Sequence, residues 1–307
     1  LGPTAYFDNA SNTAEATRGC HRSKAAEIAI GGGVVSANLA CSGARTYTQP
    51  FVSGSDFKPG LDFYDDGAGH IGQAKALQQY AATHNVTMVV VLIGANNYGF
   101  ADIVQQCVQD WLLSPSWWPN YCYDDSSIRS RFTTSNIASI TTNVANAFLN
   151  LRAAMRNAGY ADSQWTLLAQ TYSSPIPAGS QFRYSQNGYT RQSVGGCGMW
   201  NRDADWANNT VVPTLGSTIT NAVAQSGLTN ARAFDARNAL IGHRICEHHD
   251  GPLEAPGTRH SRSPAPAHRP QCGPRRPPTT TPPPPSPLLA HLASPPLGAP
   301  PPFPSLA

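Results

Sequence analysis

A parallel α/β fold is what this sequence predicts, and three observations predict it. Val86, Met88, Val89, Val90, Val91, Leu92 and Ile93 form a short, almost unbroken apolar run rich in β-branched residues. Such a run reads as a strand buried on both faces, the usual state of a central strand in a parallel sheet. A segment with helical spacing at Ile71, Ala74, Leu77, Gln78 and Ala81 feeds directly into it. A second strand, Val34 to Cys41, lies upstream, so the unit is strand, helix, strand, as a parallel sheet requires.

Composition divides the chain. Of 27 prolines among 307 residues, 19 follow Asp250, where the only carboxylate side chain is Glu254 and the only aromatic is Phe303. That mixture cannot bury enough apolar surface to offset chain entropy. Residues 251–307 are therefore expected to be a disordered or polyproline II tail, and residues 1–250 one domain with a sizeable core. The net charge of +3 comes partly from the tail's arginines, and no basic stripe with interleaved aromatics marks a nucleic-acid surface. No apolar run approaches the ~20 residues that span a bilayer.

Six of the seven cysteines precede Asp250: Cys20 and Cys41, Cys107 and Cys122, Cys197 and Cys246. They fall in neighbouring pairs along the chain, although six cysteines allow many connectivities. No C-x-x-C or Cys/His cluster of zinc type occurs, which favours disulfides and hence an exported protein. The sequence contains no signal peptide and is expected to be a mature form or a fragment.

Taken in order, residues 1–33 are loop-like apart from a short helical stretch, Lys24 to Ile30. The strand Val34 to Cys41 runs into Ser42-Gly43-Ala44-Arg45-Thr46, small residues and a glycine that suit close backbone approach to a ligand. Helix is expected over residues 69–84. The Val86 strand then breaks at Gly94, with Ala95-Asn96-Asn97 next. Ligands in open α/β sheets bind outside the carboxyl ends of strands, and amides there can donate to a bound group. Each strand end, read alone, also fits an ordinary turn, since Asn tolerates left-handed backbone.

Residues 103–113 read as helix. A Trp- and Pro-rich loop, Ser114 to Tyr123, follows, whose Trp117 and Trp118 either wall an apolar groove or fill the gap beneath the loop. Ser135 to Gly159 is a helix with apolar residues stepping by three and four and Gly159 at its C-terminal cap. Trp165 to Gln170 is a strand, Asp203 to Ser226 is mostly helix interrupted at Pro213, and Ala231 to Asp235 is a last short strand.

Four motifs in this order, CHRS at 20–23, NLACSGART at 38–46, IGANNYGFAD at 93–102 and GHRIC at 242–246, resemble the secreted actinobacterial branch of the SGNH, or GDSL-type, esterases and lipases. The resemblance covers roughly residues 15–247. It implies a three-layer α/β/α sandwich, flavodoxin-like, with a parallel sheet of about five strands. It implies three disulfides that match the neighbouring cysteine pairs. It also implies an oxyanion hole formed by the Gly43 N–H and the Asn96 side chain. Attack on an ester carbonyl creates an oxyanion, and one preorganised donor in a dry site contributes roughly 3–4 kcal/mol to the transition state.

Two departures accompany the matches. The family's nucleophile block, Gly-Asp-Ser, occurs nowhere; the nearest sequence is Gly54-Ser55-Asp56, in the wrong order. The family's histidine lies in a His-Pro-Asn-like motif after the GHRIC segment, where this chain has its proline-rich tail and no His-Pro pair. His243 is a candidate for the catalytic base, but it matches a different histidine of the family, beside the third disulfide, and its other reading is a structural histidine near the site. His21, His70 and His84 read as loop, surface or cap residues. Asn97 stands where many relatives carry Asp. The domain is thus expected to be incomplete at both ends, its tail being either a shifted reading frame or a genuine linker.

The function implied is hydrolysis of small-molecule or lipid esters by an exported monomer that uses no metal or organic cofactor. The alternative is a non-catalytic, exported module that binds envelope or carbohydrate through its Trp-rich loop.

Overall fold

The computed structural model describes residues 6–9, 11, 13–51, 56–248 and 288–293. The chain divides into one unit of Leu1–His248 with Ser286–Ala307 and another of His249–Pro285. The whole of the second lies outside the described residues.

Strand β1 is Val35–Asn38, helix α1 is Gln73–Ala81 and strand β2 is Val86–Leu92. Helix α1 starts later than spacing predicts because residues 69–72 are held in a turn. Gly69 has φ +101°, and a Cβ on Gly72 would lie 2.2 Å from Asp62 Oδ1. The expected helix at Lys24 to Ile30 is instead a pair of turns closed by Ala26 N–H to Ser23 and Ala29 N–H to Ala26. Seven residues ahead of three glycines cannot offset the cost of helix nucleation.

Helix α2 is Phe100–Leu113, and helix α3, Thr134–Asn157, is the longest described element. The Thr133 hydroxyl caps α3 by accepting from Asn136 N–H, and Gly159, with φ +95°, ends it. Its face of Ile140, Val144, Phe148, Leu151 and Met155 is buried. Strand β3 is Thr166–Gln170. Helix α4, Asn201–Trp206, continues through a π-turn at Ala207–Val211 into helix α5, Val212–Ser226. The break thus precedes Pro213, whose missing N–H falls where the π-turn interrupts the α-helical hydrogen-bond ladder. Strand β4 is Ala231–Phe234.

Strands β2, β3 and β4 pair in parallel, with Val90 opposite Leu168 and Leu168 opposite Arg232. The crossover helices pack in a row, α1 on α3 and α3 on α5. This is the parallel α/β core that the apolar run predicts.

Strand β5, Leu288–Ala293, lies in the stretch that composition assigns to a disordered tail. LLAHLA is an apolar run of the tail without proline, so it keeps every backbone donor a strand needs. It lies between β1 and β2, parallel to both, in the order β1-β5-β2-β3-β4.

Candidate functional site

The carboxyl ends of β1 and β2 carry the two turns singled out from sequence. Past β1 the chain reaches Gly43, whose φ of +80° a side chain would strain. Past β2, Gly94 takes φ +118° and starts a 3₁₀ turn, Ala95–Tyr98, carrying both amides. Glycine suits Gly94 because side chains rarely adopt that positive φ, while an added Cβ would meet Val144 at an ordinary contact distance of 3.5 Å.

Four hydrogen bonds fix the turns to each other and to the segment after β3. Asn96 Nδ2 donates to the Ala44 carbonyl at 2.9 Å. Asn97 Oδ1 accepts from Thr46 N–H at 3.2 Å, while its Nδ2 donates to Thr46 Oγ1 at 2.8 Å. Ala95 N–H donates to the Tyr172 hydroxyl, just beyond β3, at 3.2 Å. Burial pushes the Tyr172 phenol well above its ordinary pKa, so it stays neutral. Gly43 and the residue after it are therefore adjacent to Asn96. Gly43 is exposed, and among the described residues no acceptor takes its N–H; Asn96 is half-buried.

His243 lies elsewhere in the sequence of contacts. It is exposed, in a segment tied to residues 175–183 by Ile245 N–H to Pro175, Arg183 N–H to Cys246 and the nearby disulfide. His70 pairs with Asp66 at 2.6 Å, His84 stacks on Tyr80 at 4.0 Å, and His21 meets Tyr6 edge-on at 5.0 Å. Gly54 and Ser55 lie outside the described residues.

The three disulfides join Cys20 to Cys41, Cys107 to Cys122 and Cys197 to Cys246. Beside the second is the buried carboxyl of Asp203. Its Oδ1 accepts from Tyr123 N–H at 3.1 Å and its Oδ2 has no partner. Burial, reinforced by Asp110 and Asp124, pushes its pKa up to about 7. Cys107, Cys122 and Asp203 have metal-ligand spacing, but both sulfurs are in the disulfide and are not thiolate donors.

Trp117 and Trp118 are 81% and 75% exposed, so they do not fill the space under their loop. That space is taken by Trp111 and Trp200, 6.1 Å apart and both buried. Sequence reasoning missed the Thr46–Asn97 pair and the Tyr172 hydroxyl. Both depend on partners far away in the chain, for which no local spacing gives a signal.

No protein-family model matches the chain, and no curated protein matches it. Among solved structures, an extracellular lipase from Streptomyces rimosus is similar at 14% identity, with a TM-score of 0.33, over 70% of this chain and 86% of that one. Likeness at that level assigns neither an activity nor a substrate to this chain.

Proposed function

We propose that residues 1–250 are an exported ester-hydrolase domain of SGNH type, built on its three-layer, five-stranded plan. Gly43 N–H and Asn96 Nδ2 are its oxyanion donors. The observation that carries this reading is the 2.9 Å bond from Asn96 Nδ2 to the carbonyl of Ala44, next to Gly43. It brings together two strand-end turns whose donors would otherwise have no reason to meet. The chemistry is attack by a serine on an acyl ester, proton transfer by a histidine, and charge stabilisation by these donors. Within this sequence only the last has its residues, because neither a Gly-Asp-Ser nor a His-Pro-Asn motif occurs. Disulfides accord with export.

Hydrolysis of p-nitrophenyl butyrate tests the reading. This polypeptide should give no turnover above buffer, whereas a product of the same gene carrying both missing motifs should be active. Asn96→Ala should then lower its kcat by about 10²–10³. An active longer product indifferent to Asn96→Ala would remove the oxyanion assignment.

A second reading is favoured by one observation, the exposure of Trp117 and Trp118. Adjacent exposed indoles suit stacking on sugar rings. Retention on immobilised envelope glycan, lost in Trp117→Ser/Trp118→Ser, would support a binding module instead.

A further inference from the structure

Leu113, Trp117 and Trp118 are 85%, 81% and 75% exposed, the three most exposed large apolar side chains among the described residues. All three fall within six residues, at the end of α2 and in the loop after it. Single exposed apolar residues are ordinary on a protein surface, whereas a concentrated group marks a place of interaction. Between Asp110 and Asp124 no side chain carries a charge.

The loop is held in this exposed form. The Cys107–Cys122 disulfide closes its base. The Ser114 hydroxyl donates to the Asp110 carbonyl and accepts from Asn120 N–H at 2.9 Å. Asn120 Nδ2 donates to Asp110 Oδ1 at 2.8 Å, and Trp118 N–H donates to the Pro115 carbonyl at 2.9 Å. Trp111 and Trp200 already fill the space beneath, so the outer indoles have no room to fold inward.

We propose that this loop docks on the surface of a phospholipid layer, with Leu113, Trp117 and Trp118 entering the boundary between headgroups and acyl chains. Indole concentrates at that boundary because one end is apolar and the other donates a hydrogen bond. Leu113 gains by leaving water for hydrocarbon and has no ring face to lay on a sugar. The absence of charge over Trp111 to Tyr123 removes the groups that would resist that transfer. A sugar's hydroxyls would need polar side chains beside the rings, but the Ser114 hydroxyl and Asn120 Nδ2 are committed within the loop. A second copy fits less well: the three side chains offer roughly 500 Å², against about 800 Å² on each partner of a standard interface. The surface uses neither Gly43 nor Asn96 and does not rest on the ester-hydrolase reading.

Sedimentation of the whole chain with phosphatidylcholine vesicles tests this. The chain should pellet with the vesicles, and raising NaCl to about 1 M should not release it, because the loop is uncharged. Tryptophan emission should shift to the blue on binding and be quenched by lipids brominated on their acyl chains. Trp117→Ser/Trp118→Ser should lower the partition coefficient about tenfold or more, and Leu113→Ser severalfold. The urea midpoint of each variant should stay that of the parent, because all three side chains are exposed. No pelleting, release by salt, or an unchanged partition coefficient in the double variant would overturn the proposal. Retention on envelope glycan without pelleting would give the loop to a sugar, and a dimer that the double variant dissociates would give it to a second copy; either result equally overturns it.

Discussion

Asn97 and Thr46, 51 residues apart in the chain, hold each other by two hydrogen bonds. The Thr46 backbone donates to the amide oxygen at 3.2 Å, and the amide nitrogen donates to the Thr46 hydroxyl at 2.8 Å. Thr46 is buried and Asn97 is half-buried. The pair therefore fixes the loop carrying Gly43 against the turn carrying Asn96, whatever chemistry takes place there.

Asn97→Ala removes both bonds and leaves the Thr46 N–H buried without an acceptor. The expected loss is about 2 kcal/mol of unfolding free energy, read as a lower urea midpoint at unchanged slope. Asn97→Asp keeps an acceptor for the Thr46 N–H and lets the Thr46 hydroxyl turn from acceptor to donor. It should cost less than about 1 kcal/mol. Equal losses in the two variants would mean that the second bond, rather than the backbone one, dominates.

Asp203 predicts a pH dependence of a particular sign. Its carboxyl titrates at about 7 in the folded chain because burial disfavours the charged form. In the unfolded chain it titrates near 3.9. Between those values the folded state binds the extra proton, so this contribution is fully present below about pH 4 and is lost as pH rises through about 7. Asp203→Asn retains an acceptor for the Tyr123 N–H and cannot ionise. It should leave stability nearly unchanged at pH 4 and raise it by roughly 2–4 kcal/mol at pH 8. Urea midpoints of the two chains at both pH values check this; a gain of the same size at pH 4 would refute it.

Glu247 works in the opposite direction. It is buried against Arg244, accepting from the guanidinium Nε at 3.0 Å and from the Arg244 N–H at 3.0 Å. Those donors hold its carboxyl below the ordinary glutamate value. Its contribution is present above about pH 4.3, the free value, and is lost as pH falls through the lower folded one. Glu247→Gln leaves a buried guanidinium without its anion, with an expected cost of about 3 kcal/mol at pH 7. The gap between variant and parent should narrow below pH 4, which acid titration by circular dichroism measures.

What the sequence makes legible follows from how far each feature reaches. Strand β2 and helix α3 are readable because burial on one or both faces writes a local pattern, an unbroken apolar run or steps of three and four. Gly43 and Asn96 are readable as strand-end positions because a glycine and an amide at a carboxyl end have a local meaning. Their meeting through Ala44 does not, since it depends on which strands the sheet places near each other. Trp117 and Trp118 carry no mark that separates filling from exposure. At Lys24 to Ile30 a weak local preference is overruled by the glycines that follow.

Composition reads residues 251–307 as a disordered tail, and one substitution in β5 puts that reading to the test. Ala290 is opposite Val89 on one side and Ala37 on the other, in a strand paired along both edges. Proline at a central position removes a ladder donor and fits only at edges or bulges. Ala290→Pro should therefore cost more than about 3 kcal/mol, because among the described strands β5 is the one that joins β1 to β2. Amide exchange should report it as well: protection at Val35–Asn38 and Val86–Leu92 should fall together, while Thr166–Gln170 and Ala231–Phe234 keep theirs longer. The proline-rich reading of the tail makes the contrary forecast, that Ala290→Pro changes neither the urea midpoint nor the protection of β1. That outcome would take β5 out of the sheet and leave β1 without a partner strand on the β2 side.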